Sequence, residues 1–255
     1  MRPESFSDHY SQARLFFISQ APIEKKHLCD ALVFELSKVE RPDIRMRMVS
    51  HLRNIHDELA GTVANGLGVA LPETADAAQP TRDDLPASVA LSIVARGPER
   101  FEGRKLGILA TDGAEAALCT ALTGAVTKAG GVFEVIAPKI AGVTLSNGEL
   151  LPAKQKIDGG PSVLYDAVAL LVSAAGAKVL SQDKPSKDFV SDAFAHCKFI
   201  AYSQDAQALL EAAGIASEMD EACVMIRDRK EAADFIAICA KIRHWDREHL
   251  VDLDG

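Results

Sequence analysis

The residue types best suited to catalysis in this chain lie at the end of one apolar run. Ser203 follows the run at 199–202, a candidate buried strand, and precedes a helical pattern. A strand that turns sharply into a helix can hold a nucleophile beside backbone N–H groups that stabilise an oxyanion. However, the sequence places no histidine where a base for Ser203 is expected, and the GxSxG pattern is absent. We therefore favour Ser203 as the N-cap of the following helix over a nucleophilic role.

Cys197 is the second candidate nucleophile. It stands beside His196 just before the same apolar run, a position in which we expect an exposed thiol. A reactive cysteine needs surroundings that lower its thiol pKa, and the sequence does not supply them, so Cys197 stays a candidate only. The five cysteines are widely spaced and form no CxxC pair, which favours reduced thiols in a cytosolic protein.

The turn at 111–115 offers polar groups between a candidate strand and a candidate helix. In doubly wound sheets, ligands collect beyond the carboxyl ends of the strands, and helix N-termini favour anions. Asp112, Gly113 and Glu115, together with Ser203, are therefore candidate ligand-binding residues. The alternative, which we favour, is that Asp112 caps the helix while Glu115 complements the helix dipole.

The common cofactor and metal signatures are absent from the sequence. We find no GxxxxGK[ST] phosphate loop, no HExxH pair and no GxGxxG after a strand. His51 and His56 are five residues apart, as are His244 and His249, a spacing that does not place both on one helix face. We therefore predict no metal site.

Residues 104–255 alternate apolar runs with helical patterns. Strands are predicted at 105–110, 132–137, 168–173 and 199–202, with helices at about 115–129, after 202, and at about 230–242. The segment 143–151 predicts a β-hairpin with a type I′ turn at Asn147-Gly148. Strand–helix alternation implies right-handed crossovers, so the predicted fold is an α/β, flavodoxin-like doubly wound parallel sheet.

The first 103 residues have a different pattern. Residues 1–69 predict a helical segment, with one helix at 24–39 and a second that begins at Pro42 and carries Met48, Leu52, Ile55 and Leu59 on one face. Residues 70–103 are rich in proline and predict an extended linker, with a short strand-like stretch at 89–94.

Charge and hydropathy exclude some classes of partner. The 255 residues include 28 Lys and Arg against 36 Asp and Glu, a net charge of −8. Nucleic acids and anionic membranes need a basic face, so we expect neither as a partner. The sequence contains no run of the roughly 18–20 apolar residues that a membrane helix needs and no secretory signal, so we expect a cytoplasmic protein.

Several short segments resemble one known family. They are 2–6 (RPESF), 8–13 (DHYSQA), 22–27 (PIEKKH), 31–39 (ALVFELSKV), 55–60 (IHDELA), 63–68 (VANGLG), 87–93 (ASVALSI) and 103–109 (GRKLGIL). They resemble the region that follows the haem core of large-subunit catalases. Residues 104–255 are similar to the flavodoxin-like domain added to those enzymes, which itself resembles the class I glutamine amidotransferase-like superfamily.

The resemblance implies a haem enzyme of oxidative stress that breaks down hydrogen peroxide as a homotetramer. It also implies that this chain lacks the core that binds haem, because Tyr10, Tyr165 and Tyr202 stand in none of the family's haem-ligand contexts. We therefore expect no cofactor in this chain and no catalase activity from it alone.

The amidotransferase-like elbow is altered in this sequence. Ser203 stands where that superfamily often has a catalytic cysteine, and Leu118 lies near the position of its supporting acid. Ala174-Ala175-Gly176 replaces the usual glycine pair. In these departures the chain resembles the inactive domains that are attached to catalases.

Three hypotheses follow for function. The first is a structural, stabilising region of a catalase that is a homo-oligomer and packs on the catalase core when joined to it. The second is a chaperone-like module that binds unfolded proteins through exposed helical stripes. The third is a small hydrolase or glyoxalase-like enzyme that uses Ser203 or Cys197.

Overall fold

The computed structural model describes residues 3–97 and 99–251, apart from the side chains of Glu4 and Ser5. Arg2, in the first of the family-like segments, lies outside the described residues. The chain divides between residues 97 and 98 into two compact units, which we call the helical unit and the α/β unit.

The helical unit contains four main helices after a 3-10 turn at Glu4–Ser7. They are α1 (Ser11–Ser19), α2 (Pro22–Ser37), α3 (Pro42–Ile55) and α4 (Asp57–Gly66). Pro22 and Pro42 occupy first helical positions, as predicted, because proline lacks the N–H that has no helical partner there. Eight buried residues form the core: Phe17, Cys29, Val49, Leu52, Leu59, Ala60, Val63 and Ala64.

The predicted second helix is in fact two helices. His56 is extended, with φ −165° and ψ 134°, and its Nδ1 accepts the Glu58 N–H, so it ends α3 and caps α4. The predicted stripe is also partly wrong, because Met48 is 37% exposed and Val49 is buried in its place.

The segment after α4 runs back along the helices. The Ala75 N–H donates to the Ser50 carbonyl at 3.1 Å, and the Ser88 N–H donates to Ser19 Oγ at 2.9 Å. The segment ends in a 3-10 turn at Val89–Leu91 and helix α5 (Ile93–Arg96), so the predicted strand-like stretch is wrong. A helix forms there because Ser92 Oγ and the Glu24 carboxylate accept hydrogen bonds from the backbone N–H groups at the start of α5.

The α/β unit is built on a six-stranded parallel sheet. Its strands are β1 (Lys105–Ala110), β2 (Val132–Ala137), β5 (Gln155–Lys156), β6 (Ala167–Leu171), β7 (Ile200–Tyr202) and β8 (Cys223–Met225). The strand order is β5-β2-β1-β6-β7-β8, and every pairing is parallel. Without the two-residue edge strand β5, this is the order 2-1-3-4-5, which is consistent with a flavodoxin-like fold.

Helices cover both faces of this sheet. Helices α6 (Ala116–Lys128) and α10 (Arg229–Ile238) pack on one face. Helices α7 (Ala174–Leu180), α8 (Lys184–Ala195) and α9 (Gln207–Ala212) pack on the other. A strand buried on both faces reads as a continuous apolar run, and all five residues of β6 are buried. The described chain ends in a 3-10 turn at Trp245–Arg247 and α11 (Glu248–Val251).

The predicted hairpin is confirmed, although its turn type is wrong. Strands β3 (Val143–Thr144) and β4 (Leu150–Leu151) pair antiparallel. A type I′ turn needs positive φ at both central residues, and of the pair Asn147-Gly148 only Gly148 has it, at +87°. The Gly148 N–H instead donates to the Leu145 carbonyl at 2.9 Å, which makes a three-residue loop that ends in a left-handed glycine.

Candidate functional site

The polar residues predicted to bind a ligand lie at the carboxyl edge of the sheet. Asp112 and Gly113 follow β1, and Ser203 follows β7. Strand β6 pairs with both β1 and β7, so the loop after β6 lies between the two turns. The structure brings Asp112 and Ser203 to opposite sides of this loop, where each contacts a different residue.

The loop after β6 closes against the turn after β1. Ser173 Oγ donates to the Asp112 carbonyl at 2.6 Å, and the Ser173 N–H donates to Thr111 Oγ1 at 3.0 Å. Ser173 Oγ also accepts the Gly176 N–H at 3.2 Å and thereby caps α7. Thr111 is 3% exposed, and a Cβ on Gly176 would stand 2.0 Å from Thr111 Oγ1. The switch point between β1 and β6, where doubly wound folds place a ligand, is therefore filled here by protein atoms.

Asp112 holds the hairpin and does not cap α6. Its Oδ1 accepts the Thr144 N–H at 2.8 Å, and the Gly113 N–H donates to the Thr144 carbonyl at 2.8 Å. Helix α6 begins after Glu115, which makes no side-chain cap, and Ser146 Oγ accepts the Ala116 N–H instead. The predicted cap by Asp112 is therefore wrong, because the hairpin supplies the partner that sequence spacing could not show.

Ser203 occupies the N-cap position of the 3-10 turn at Gln204–Ala206, but its side chain does not cap it. Its Oγ donates to the Val172 carbonyl at 3.1 Å and accepts the Val172 N–H at 3.3 Å. In the part of the chain that the structure describes, no histidine is hydrogen-bonded to this hydroxyl. These two hydrogen bonds link the residue after β7 to the residue after β6. They leave Ser203 without the base that a nucleophilic serine needs.

Cys197 is not the exposed thiol that the sequence predicts. It is 3% exposed, in a left-handed conformation with φ 54°, and burial raises the pKa of its thiol. The segment that follows α10 covers it, and the His244 N–H donates to the Cys197 carbonyl at 2.8 Å. Because the thiolate is the nucleophile, a buried thiol with a raised pKa is poorly suited to catalysis.

The remaining cysteines have the same character. All five are free and buried. Burial raises the pKa of Cys119 and of Cys223 to about 11. They pack as small apolar side chains, as the sequence predicts for Cys119 and Cys239.

Sequence reasoning missed several residues of the carboxyl edge. Thr111, Ser173 and Asp205 join its hydrogen-bond network, the last by accepting the Ala174 N–H at 3.1 Å. Thr111 directly follows the predicted strand at 105–110, and Ser173 is the last residue of the predicted strand at 168–173. Their positions are a signal that would have found both, because the carboxyl ends of parallel strands share one edge.

A groove of about 1090 Å³ lies elsewhere, along α6 and beside α10. Small side chains of α6 line it, with Lys128 and Arg229 among the charged groups at its sides. It includes Glu115 but neither Asp112 nor Ser203, so this groove does not bring the predicted ligand residues together.

Comparisons with known proteins agree on one family. Residues 3–67 match the model described as catalase-related immune-responsive, and residues 102–249 match the C-terminal domain found in long catalases. Catalase C of Rhizobium meliloti is 56% identical over 99% of this chain, and catalase HPII of Mycobacterium avium is 36% identical over 96% of it. Each alignment covers 36% of the relative, so the chain spans about a third of the length of these proteins. The chain belongs to the family of large-subunit catalases and corresponds to their C-terminal region.

Proposed function

We propose that this chain is a structural part of a catalase and that it stabilises a haem core that disproportionates hydrogen peroxide. The observation that carries the proposal is the set of large apolar side chains that the helical unit leaves exposed. Large exposed apolar patches mark interaction surfaces on proteins, so in this proposal a partner covers these side chains.

The exposed side chains come from most elements of the helical unit. Phe34 of α2 is 63% exposed and Ile93 of α5 is 68% exposed. Phe6, Phe16, Ile44, Met48, Leu71, Val89, Leu91 and Val94 are also exposed. In this proposal they pack against the catalase core, while the α/β unit, a flavodoxin-like domain, lies outside that core within a homo-oligomer.

The tyrosines of this chain are not placed to bind haem, the cofactor of the family's core domain. A haem iron needs an axial ligand that is free to bind it. The Tyr10 hydroxyl is hydrogen-bonded to His51 Nδ1 at 2.8 Å, the Tyr165 hydroxyl donates to Glu134, and Tyr202 is 7% exposed in the core. We therefore assign no step of the peroxide reaction to this chain.

The other two hypotheses have less support. The burial of Cys197 and the paired hydroxyl of Ser203 argue against the hydrolase or glyoxalase-like enzyme. The chaperone-like alternative gains no support from the matched families, and we do not propose it.

We also propose a cytoplasmic location. The five buried, free cysteines suit a reducing compartment. Among the described residues, no helix is both long enough and apolar enough to cross a membrane.

The proposal is tested by joining this chain to a core that lacks it. The haem core of the Rhizobium meliloti relative is prepared alone, joined to this chain, and joined to a variant with Phe34→Ser and Ile93→Ser. We expect the joined protein to keep peroxide-degrading activity at higher temperature than the core alone, and the variant to lose most of that gain. Equal inactivation temperatures for the core and both joined proteins would contradict the proposal.

A further inference from the structure

A cluster of one imidazole and two carboxylates lies at the amino edge of the sheet, opposite the carboxyl edge that carries Asp112 and Ser203. Glu221 precedes β8, and His244 and Asp246 lie in the segment between α10 and α11. Each residue offers one ligand atom, and the three atoms all lie within 4.8 Å of one another.

The two chain segments that carry this cluster are fixed relative to each other by a buried ion pair. Arg247, with a fully buried side chain, donates to both oxygens of Asp220 at 2.6 and 2.7 Å. Arg247 also donates to the carbonyls of Phe194 and Lys198. Because Asp220 adjoins Glu221 and Arg247 adjoins Asp246, this pair fixes the two backbone segments that carry the carboxylates.

The imidazole is held from a different direction. The His244 N–H donates to the Cys197 carbonyl at 2.8 Å, and the ring meets Phe199 edge to face at 6.4 Å between centroids. Its Nε2 lies 3.6 Å from Asp220 Oδ2. At that distance Asp220 is a neighbour of the ring and not a hydrogen-bond partner, so the bond from the His244 N–H and the Phe199 contact are what position the imidazole.

The carboxylates of Glu221 and Asp246 are free to bind. Within residues 3–97 and 99–251, neither has a hydrogen-bond or ion-pair partner, whereas Arg247 neutralises Asp220. Both are exposed, so their side chains can rotate. Ligands at about 2.0–2.2 Å from a tetrahedral ion stand roughly 3.5 Å apart, so closure needs a shift of about one ångström.

We propose that Glu221, His244 and Asp246 bind a divalent transition-metal cation of the Zn²⁺ type. One imidazole with two carboxylates suits Zn²⁺ better than Ca²⁺ or Mg²⁺, which prefer oxygen ligands alone. The ion links the loop before β8 to the segment that covers Cys197, and it thereby stabilises the end of the α/β unit.

The test is calorimetric titration of the full chain with ZnCl₂ after dialysis against a chelator, with MgCl₂ in parallel. We expect one Zn²⁺ per chain, little binding of Mg²⁺, and a melting temperature that rises by several degrees with Zn²⁺. Glu221→Gln, Asp246→Asn and His244→Ala should each weaken Zn²⁺ binding at least tenfold. His249→Ala and Asp234→Asn, an exposed histidine of α11 and an exposed carboxylate of α10, serve as matched controls that keep it.

Two results would overturn the assignment. One is the absence of Zn²⁺ binding up to millimolar concentration, and the other is equal binding in the cluster variants and the controls. Because Glu221 and Asp246 are exposed, their variants keep the test valid even if His244→Ala does not fold, which circular dichroism would detect.

Discussion

The helical unit and the α/β unit differ in how completely they bury their apolar side chains. The helical unit has one core of eight buried residues, whereas the α/β unit has two cores of 25 and 20 buried residues. Ten of the large exposed apolar side chains belong to the helical unit and eight to the α/β unit, although the helical unit is the shorter. The α/β unit therefore buries most of its large apolar side chains within its own cores, whereas the helical unit leaves a larger share of them exposed.

The difference in burial arises from the secondary-structure elements that build each unit. A parallel sheet buried on both faces closes its core within one unit, because crossover helices cover both sides. Four short helices depend on tertiary packing for stability, since isolated helices of this length are marginal in water. We therefore expect the α/β unit to be the more stable part and the helical unit to depend on a partner.

The largest expected effect separates the two units by truncating one core phenylalanine in each. Phe17 is 1% exposed in the helical unit, and Phe235 is fully buried in the α/β unit. We expect each substitution by alanine to cost about 3–5 kcal/mol, because a buried phenyl ring leaves a cavity. Scanning calorimetry should show two transitions, with Phe17→Ala lowering one and Phe235→Ala lowering the other.

Phe34 provides the matched control, because its ring is 63% exposed. Phe34→Ala should change unfolding free energy by less than about 0.5 kcal/mol. A single transition that both core variants shift equally would contradict the division into two independently unfolding units.

A pair of glycine substitutions tests whether the switch point between β1 and β6 is filled by protein atoms. Gly176→Ala places a methyl group 2.0 Å from the buried Thr111 Oγ1, so we expect a loss of about 1–3 kcal/mol in urea unfolding. Gly124→Ala, in the middle of α6, meets no atom within 4 Å and should stabilise by about 0.5–1 kcal/mol. Equal stability of the Gly176 variant and the native chain would show that the switch point is open.

Much of the α/β unit could be predicted from the sequence, because buried parallel strands read as apolar runs. The runs at 105–110 and 132–137 coincide with β1 and β2, and the helix expected at 115–129 differs from α6 by one residue at each end. Helices α7 and α8, strand β8 and α11 are absent from the sequence prediction. The short β8 and the four-residue α11 give too few residues for a periodic signal.

The candidate site was less predictable, since its contacts depend on residues distant in sequence. Asp112 binds Thr144, 32 residues away, and Ser203 binds Val172, 31 residues away. Cys197 looked exposed because its cover comes from the segment around His244. The local sequence pattern shows that polar residues lie at a strand end, but it does not show which of them form hydrogen bonds with one another.

The smallest expected effect concerns the Glu24 carboxylate, which joins the start of α2 to the start of α5. Glu24 accepts hydrogen bonds from the Ala21 N–H, the Ser92 hydroxyl and the N–H groups that begin α5. Partial burial acts to raise the pKa of Glu24, but hydrogen bonds from Ser92 and the backbone outweigh it, so the pKa lies below its usual 4.5. Glu24→Gln removes the charge from these bonds but keeps an acceptor oxygen, so we expect a loss of about 0.5–1.5 kcal/mol at pH 7.

The pH dependence distinguishes this role from simple packing. Because the folded state holds the Glu24 proton less tightly than the unfolded state, its stabilisation is present above about pH 4.5 and is lost as pH falls through the folded pKa. The stability difference between the native chain and Glu24→Gln should therefore shrink between pH 7 and pH 3 in urea unfolding. Glu35→Gln, on the same helix and paired with exposed Lys38, should change stability little at any pH. A difference for Glu24→Gln that stays constant with pH would mean that the shape of the residue 24 side chain, and not its charge, holds α5 to α2.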